Sequence, residues 1–226
     1  MDMHMNFSGF AFLCLAACFC SCRQASNAVN SAEPDPLQSL LDGNQRFVSH
    51  HEKHPHQNSR RMQEIAEGQH PSVAVICCSD SRVPPELIFD QGLGDLFVVR
   101  TAGNLMGGIE IGSIEYAVEH LGVKDILVLG HRGCGALKAF VEGGEVPGHI
   151  RDIVDSIRAE QEIRNLHSDP AHLLDHCIRA NILHGKHQLQ LQSPLIAEKI
   201  RKGELRISTA CYDLEKGEVE LIREQQ

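Results

Sequence analysis

Three short apolar runs, rich in β-branched residues, stand out along the chain at residues 73–77, 96–99 and 126–129. Runs without polar alternation are typical of strands that are buried on both faces of a parallel sheet. Segments with helical spacing of apolar residues surround them, at residues 36–48, 109–121, 137–141 and 170–190. Strands that alternate with helices predict right-handed crossovers and a mostly parallel sheet.

The C-terminal part of the chain predicts a β-hairpin. Residues 206–212 and 218–222 have strand character and flank a Glu-Lys-Gly turn at residues 215–217. Pro170 is expected at the first position of the last long helix, where proline is favoured. The predicted fold class is α/β: a mostly parallel central sheet of four strands plus an antiparallel C-terminal edge strand, flanked by helices, with an extended N-terminal helical arm at residues 36–48.

The N-terminus carries a separate signal. Residues 7–19 form an apolar run of the length expected for a secretory signal and too short to span a bilayer. Near its end, residues 15–18 read Leu-Ala-Ala-Cys, which resembles a bacterial lipoprotein cleavage site with Cys18 as the lipidated residue. We expect a periplasmic or cell-envelope protein with a lipid anchor; the alternative is a cytoplasmic protein in which this run is an ordinary buried helix or follows a misassigned start. Three parts are predicted: a signal or lipoprotein segment (1–22), a polar tether (23–35) and a single zinc domain (36–226).

Composition narrows the functional classes. The chain has 226 residues, 42% of them hydrophobic and 23% charged, which is ordinary for one globular domain. The formal net charge of −9 argues against a nucleic-acid partner, whose phosphates require a basic surface. The cysteines of the predicted domain are too scattered for a disulfide framework and favour a metal site for some of them. They are Cys77, Cys78, Cys134, Cys177 and Cys211.

Two short motifs carry the candidate chemistry. Residues 78–82 (Cys-Ser-Asp-Ser-Arg) follow the first predicted strand, and residues 131–135 (His-Arg-Gly-Cys-Gly) follow the third. Sites in open α/β sheets form outside the carboxyl ends of strands, so the two motifs are expected to meet. Cys78, His131 and Cys134 then offer two thiolates and one imidazole to a zinc ion. Three protein ligands leave one position for water, which is the pattern of a catalytic rather than a structural zinc site.

Two residues close to Cys78 extend this hypothesis. Zinc would polarise a water molecule in the remaining position to a pKa of about 7. Asp80 is expected to accept a hydrogen bond from zinc-bound hydroxide, and Arg82 to hold Asp80 through a bidentate pair. A carboxylate this close can also displace the water and become the fourth ligand, so an open and a closed state are both expected. Cys77 points to the other side of an extended chain and is expected in the core.

These residues resemble those of β-class carbonic anhydrases. The resemblance covers about residues 37–222 and rests on residues 78–82, 100–104 (Arg-Thr-Ala-Gly-Asn) and 130–135 in this order and spacing. It implies a lyase that uses Zn²⁺ for the reversible hydration of carbon dioxide to bicarbonate and a proton. It also implies Cys78, His131 and Cys134 as zinc ligands and Asp80 with Arg82 as the catalytic pair.

The resemblance further implies a substrate pocket and an oligomer. Gln69, in a Gly-Gln-His-Pro stretch, would hydrogen-bond the substrate, and an Ala at position 102 would leave a wider pocket than Val or Ile. The site would lie at the interface of a homodimer, or of a tetramer, so that Gln69 and Tyr116 serve the partner's zinc and the helix at residues 36–48 wraps around the partner. The implied substrate-binding residues are Gln69, Phe97, Ala102, Tyr116 and Gly135.

Three other functions remain open from the sequence. The same zinc site would serve hydrolysis of carbonyl sulfide or carbon disulfide. A non-catalytic zinc-binding sensor or interaction module is a second alternative, but it needs neither Asp80, Arg82 nor Gln69. A nucleotide-binding α/β domain is a third, but it requires a Gly-x-Gly-x-x-Gly turn after the first strand, where Cys-Ser-Asp stands instead.

Overall fold

The computed structural model describes residues 35–224, so the predicted signal segment and all of the predicted tether except Asp35 lie outside the described residues. The helices are α1 (Pro36–Val48), α2 (Ser59–Glu64), α3 (Pro85–Ile88), α4 (Gly108–His120), α5 (Gly135–Glu142), α6 (Ile150–Ala159), α7 (Gln161–Arg164), α8 (Leu173–Gln192) and α9 (Pro194–Arg201). The strands are β1 (Val73–Cys78), β2 (Leu96–Thr101), β3 (Asp125–His131), β4 (Arg206–Tyr212) and β5 (Val219–Leu221). Between residues 35 and 224, no helix combines the length and the apolar character needed to cross a bilayer.

The strands form one sheet in the order β2-β1-β3-β4-β5. The first four are parallel and β5 is antiparallel to β4, which confirms the predicted fold class and hairpin. After β2 the chain crosses to the other side of β1, so the order of strands switches between β1 and β3. Cys77 pairs with Leu129, which places the carboxyl ends of these two strands side by side.

The sheet is covered on both faces. Alternate residues of β1 enter two different cores, because successive side chains of a strand point to opposite faces. Cys78 belongs to the core beneath α4, α5 and α8, while Cys77 belongs to the core beneath α1 and α3. Cys77 is fully buried, as predicted, and burial raises the pKa of its thiol to about 12.

Helix α8 lies unusually close to β3. A Cβ atom at Gly130 would stand 2.4 Å from side-chain atoms of Ile182, and one at Gly185 would stand 3.1 Å from Val128. A larger residue at either position would force these side chains to shift, which favours glycine on both elements where they cross. This contact holds α8 directly against the strand that ends in His131.

Helix α1, predicted as an extended arm, packs on the sheet of its own chain. Leu40 is buried in the core beneath it. The Asn44 side chain donates to the carbonyl oxygens of Ile88 (3.2 Å) and Gly217 (2.8 Å) and accepts from the N–H of Val219 (2.9 Å). The helix is thus tied both to α3 and to the C-terminal hairpin.

The helical boundaries differ from expectation at one place. Helix α8 begins at Leu173 instead of Pro170. Asp169 Oδ1 accepts from the N–H groups of Ala171 (2.8 Å) and His172 (3.2 Å), so this stretch forms a side-chain-stabilised turn before the helix starts. Helices α6 and α7 were not predicted, although α6 has apolar residues at helical spacing.

The tight contact beneath α1 generates a prediction about stability. A Cβ atom at Gly43 would stand 1.8 Å from the backbone oxygen of Phe89, which cannot move as a flexible side chain could. We expect Gly43→Ala to destabilise the protein by about 1–3 kcal/mol. Gly112→Ala is the matched control, because it also lies inside a helix but has nothing within 4 Å of the added atom. It should stabilise the protein by about 0.5–1 kcal/mol. Chemical denaturation measures both, and equal effects would contradict the prediction.

Candidate metal centre

Three buried ligand atoms meet at the carboxyl end of the sheet. Cys78 is the last residue of β1, His131 is the last residue of β3, and Cys134 is the N-cap of α5. The two sulfur atoms and one imidazole nitrogen lie within 4.8 Å of one another. Among residues 35–224, this is the one group of His, Cys, Asp and Glu side chains that meets this distance condition. The structure thus brings together the ligands that the two motifs predicted.

The donor set fits zinc. His131 Nδ1 lies 3.0 Å from the carbonyl oxygen of Arg132, so Nδ1 carries the proton and Nε2 presents its lone pair to the site. His131 Nε2 is buried and has no hydrogen-bond partner in the described structure, as expected of an atom that binds a metal. A tetrahedral zinc ion requires ligand atoms about 3.5–3.8 Å apart, which is compatible with the observed cluster.

The two thiols interact directly, and this interaction shifts their pKa values in opposite directions. A hydrogen bond from Cys134 lowers the pKa of Cys78 to about 4, and the same interaction with Cys78 raises the pKa of Cys134. The Gly103 N–H also donates to Cys78 Sγ, at 3.4 Å, and the first N–H groups of α5 face Cys134. A divalent cation between the sulfur atoms would stabilise both as thiolates, which is how protein sites bind zinc.

Asp80 is held by Arg82 in the geometry that the sequence predicted. Arg82 Nε donates to Asp80 Oδ1 (3.0 Å) and Nη2 to Oδ2 (2.8 Å), while the Arg82 backbone N–H adds a third bond to Oδ1 (3.0 Å). These hydrogen bonds hold the pKa of Asp80 well below its usual range, so the carboxylate is ionised at neutral pH. Asp80 Oδ2 lies 3.8 Å from His131 Nε2, which places the carboxylate next to the metal ligands.

Arg100 fixes the loop that carries this pair, a role that sequence reasoning missed. Its Nε donates to the carbonyl oxygen of Cys78 (3.1 Å) and its Nη2 to that of Asp80 (2.7 Å). The side chain therefore binds the backbone on both sides of Ser79. The sequence signal was its place in the Arg-Thr-Ala-Gly-Asn segment, but the segment does not indicate which atoms the guanidinium reaches.

The residues of the implied substrate pocket fall into two groups. Ala102 and Gly135 lie with the metal ligands: Ala102 follows Thr101, which pairs with Cys78, and Gly135 follows Cys134. Gly135 is exposed, and an added Cβ atom would meet nothing within 4 Å. The space in front of the site is therefore open at this position.

Gln69, Phe97 and Tyr116 lie elsewhere in the chain. Gln69 is exposed and precedes β1, whose other end carries Cys78, and a strand of this length spans roughly 17–20 Å. Phe97 pairs with Ala74 near the amino end of β2, and its ring lies 6.4 Å from that of Tyr116. These three residues thus lie towards the amino ends of the strands, whereas the metal ligands of the same chain lie at the carboxyl ends.

Comparison with known proteins gives one family. The sequence model described as carbonic anhydrase matches residues 73–219. A carbonic anhydrase of Mycolicibacterium smegmatis is 42% identical over 196 residues, which cover 85% of this chain and 94% of the relative. Carbonic anhydrase 2 of Mycobacterium tuberculosis is 39% identical over 184 residues, covering 80% of this chain and 88% of the relative.

Solved structures agree with the sequence relatives. The β-carbonic anhydrase CcaA matches with a TM-score of 0.67 at 32% identity, covering 83% of this chain and 95% of the other. A tetrameric β-carbonic anhydrase from the ascomycete Sordaria macrospora matches with a TM-score of 0.64 at 26% identity, covering 82% and 96%. Sequence, fold and metal ligands therefore agree: this chain belongs to the β-class carbonic anhydrase family.

Proposed function

We propose that this protein catalyses the zinc-dependent, reversible hydration of carbon dioxide to bicarbonate and a proton. The observation that carries the proposal is the ionised Asp80, paired with Arg82 and 3.8 Å from the imidazole nitrogen of a Cys-His-Cys cluster. A purely structural zinc site has no use for such a pair. The relatives named above are carbonic anhydrases, which favours carbon dioxide over carbonyl sulfide or carbon disulfide as substrate.

The protein's own residues supply orientation and charge. Zinc held by Cys78, His131 and Cys134 supplies a Lewis acid that lowers the pKa of water to about 7. Asp80, an acceptor only when ionised, receives the hydrogen bond of the attacking oxygen and so turns a lone pair towards carbon dioxide. Arg82 keeps the carboxylate directed to that task instead of towards the metal, where it would become a fourth ligand and close the site.

The approach to the site suits a small neutral substrate. The missing side chain of Gly135 leaves the mouth open, and Ala102 occupies little of the space beside Cys78. Carbon dioxide carries no net charge, so the acidic protein presents no electrostatic barrier to its arrival. The bicarbonate product is an anion, and repulsion by Asp80 favours its release.

The orienting role of Asp80 gives the first functional prediction. Asp80→Asn should keep stoichiometric zinc but lower the kcat of carbon dioxide hydration about 100-fold. An amide has only one accepting oxygen, so it cannot accept both from Arg82 and from the attacking oxygen as the two carboxylate oxygens do. Stopped-flow hydration at pH 8.5 and metal analysis measure the two quantities. Glu64→Gln, which removes an exposed carboxylate paired with Arg60, is the control and should be fully active. Normal turnover of Asp80→Asn would exclude the orienting role.

We further propose that the active unit is a homodimer in which each subunit completes the other's pocket. Gln69, Phe97 and Tyr116 lie towards the amino ends of the strands and the metal ligands at the carboxyl ends, so one chain alone does not unite them. Strand β2 is at the edge of the sheet and partly exposed, unlike the buried β1 and β3. Two-fold pairing of β2 with its copy would run antiparallel and bring the partner's Phe97 end towards the Cys78 end.

Complementation tests this arrangement. Gln69→Ala and Cys78→Ser should each be nearly inactive alone, the first because it lacks the substrate hydrogen bond and the second because it lacks zinc. Co-expressed with different tags, they should recover about a quarter of wild-type activity, since half the dimers are mixed and each holds one complete site. Cys78→Ser with Asp80→Asn is the matched control and should recover nothing, because both residues serve the same site. Equal results for the two mixtures would contradict the shared pocket.

We also propose that the protein resides in the cell envelope and is lipid-anchored at Cys18. The support is the apolar run at residues 7–19 and the Leu-Ala-Ala-Cys sequence at residues 15–18 within it. In a bacterial host, the full chain should fractionate with membranes and yield an N-terminal lipid-modified cysteine by mass spectrometry. Cys18→Ser should remove that modification, while Cys22→Ser, the neighbouring control, should not. A cytoplasmic protein with residues 1–17 intact would overturn the proposal.

A further inference from the structure

Glu160 is a buried carboxyl group that the mechanism does not use. It lies between α6 and α7, is only 2% exposed, and accepts a hydrogen bond on Oε1 from Asn181 Nδ2 at 2.7 Å. Its other oxygen, Oε2, is buried without a partner in the described structure. Burial raises the pKa of Glu160 to about 8. A buried polar atom left unpaired costs free energy, so its presence beside a catalytic site calls for a physical reason.

The hydrogen bond to Glu160 is the end of a chain of buried polar groups. Asn181 Oδ1 accepts from Asn104 Nδ2 at 2.8 Å, and both asparagines are 3% exposed. Each amide has one donating and one accepting end. Because the Glu160 Oε1 acceptor engages the Asn181 nitrogen, the Asn181 oxygen is left for Asn104. Glu160 therefore determines the direction of the whole chain.

The other end of this chain reaches a zinc ligand. Asn104 closes the turn Ala102–Asn104, in which Gly103 (φ 69°) and Asn104 (φ 48°) both adopt the left-handed region. Asparagine is one of the few non-glycine residues that adopt this region readily, and the hydrogen bond to Asn181 fixes the side chain of Asn104 in this turn. The same turn presents the Gly103 N–H to Cys78 Sγ at 3.4 Å. Holding Asn104 thus holds the donor that the thiolate uses.

We propose that Glu160 is a positioning residue for the zinc centre. It acts through Asn181 and Asn104 to hold the Gly103 N–H against Cys78 Sγ. Outer hydrogen bonds of this kind orient metal ligands and support metal affinity. The proposal rests on the zinc site of the proposed function. It does not depend on the reaction, since its consequence is measured on the metal itself.

The neighbouring Glu162 supplies a matched control. It lies on α7, two residues after Glu160, and accepts from His184 and His187 of α8. Its side chain ties α7 to α8 much as Glu160 does, but it makes no hydrogen bond to Asn181 or Asn104. A residue that merely secures the helices would behave like Glu162, whereas a positioning residue would affect the metal.

The experiment compares three variants by zinc competition with a chromophoric chelator. Glu160→Met keeps the volume but removes the acceptor, and we expect zinc affinity to fall about 10- to 100-fold. Glu160→Gln retains an accepting oxygen for Asn181 and should bind zinc within about threefold of wild type. Glu162→Met should bind zinc as wild type does, even where its melting temperature falls. The thiolate charge-transfer band of the Co²⁺-substituted protein should shift only in Glu160→Met.

Two further variants test whether Glu160 affects zinc affinity through Asn181. Asn181→Ala cuts the chain in the middle and must reproduce the loss of affinity, also in the case that Glu160→Met does not fold. Adding Glu160→Met to Asn181→Ala should weaken zinc binding no further, because the connection is already broken. Wild-type affinity in Asn181→Ala, or equal losses in Glu160→Gln and Glu160→Met, would overturn the proposal.

Discussion

The zinc centre depends on the parallel register of β1 against β3. Pairing of Cys77 with Leu129 sets Cys78 beside Gly130, one residue before His131, at the same end of the sheet. A slip of one residue would turn Cys78 to the opposite face and expose Cys77 to the site instead, because side chains alternate along a strand. The register is secured by the two cores that the alternating residues of β1 fill. The same strand register therefore determines both the packing of the sheet and the positions of the metal ligands.

The zinc centre also requires that negative charge at that end of the sheet be compensated. Two cysteine sulfurs and one carboxylate converge there, and each would repel the others. The structure distributes the compensation: Arg82 engages the Asp80 carboxylate, Arg100 engages the backbone between Cys78 and Asp80, and the start of α5 faces Cys134. Because Arg82 takes both carboxylate oxygens, the metal does not have to neutralise Asp80. An ion pair outside the ligand shell would thus keep the fourth position of a bound metal free for water.

Local patterns carried the parts of this structure that the sequence could predict. Unbroken apolar runs indicated β1, β2 and β3. The cysteine after the first run and the histidine after the third indicated the metal site. Contacts between distant elements could not be predicted. Arg100 binds the Cys78 carbonyl 22 residues away, and Glu160 binds Asn181 across 21 residues. The start of α8 was predicted three residues too early for a different, local reason. The Asp169 side chain accepts from nearby backbone N–H groups, and this turn competes with the helix.

In the proposed dimer, the same geometry would connect metal binding with association. A partly exposed edge strand such as β2 is a liability unless another chain covers it, since its backbone groups invite pairing. The residues grouped near its amino end, Phe97 and Tyr116, include an aromatic ring that is 48% exposed in the single chain. In the proposed dimer, pairing of β2 with its copy would cover that edge and carry these rings to the open side of the partner's zinc site. The part of the pocket that each chain lacks is then supplied by the contact that protects its edge, so the pocket would be complete only in the associated state.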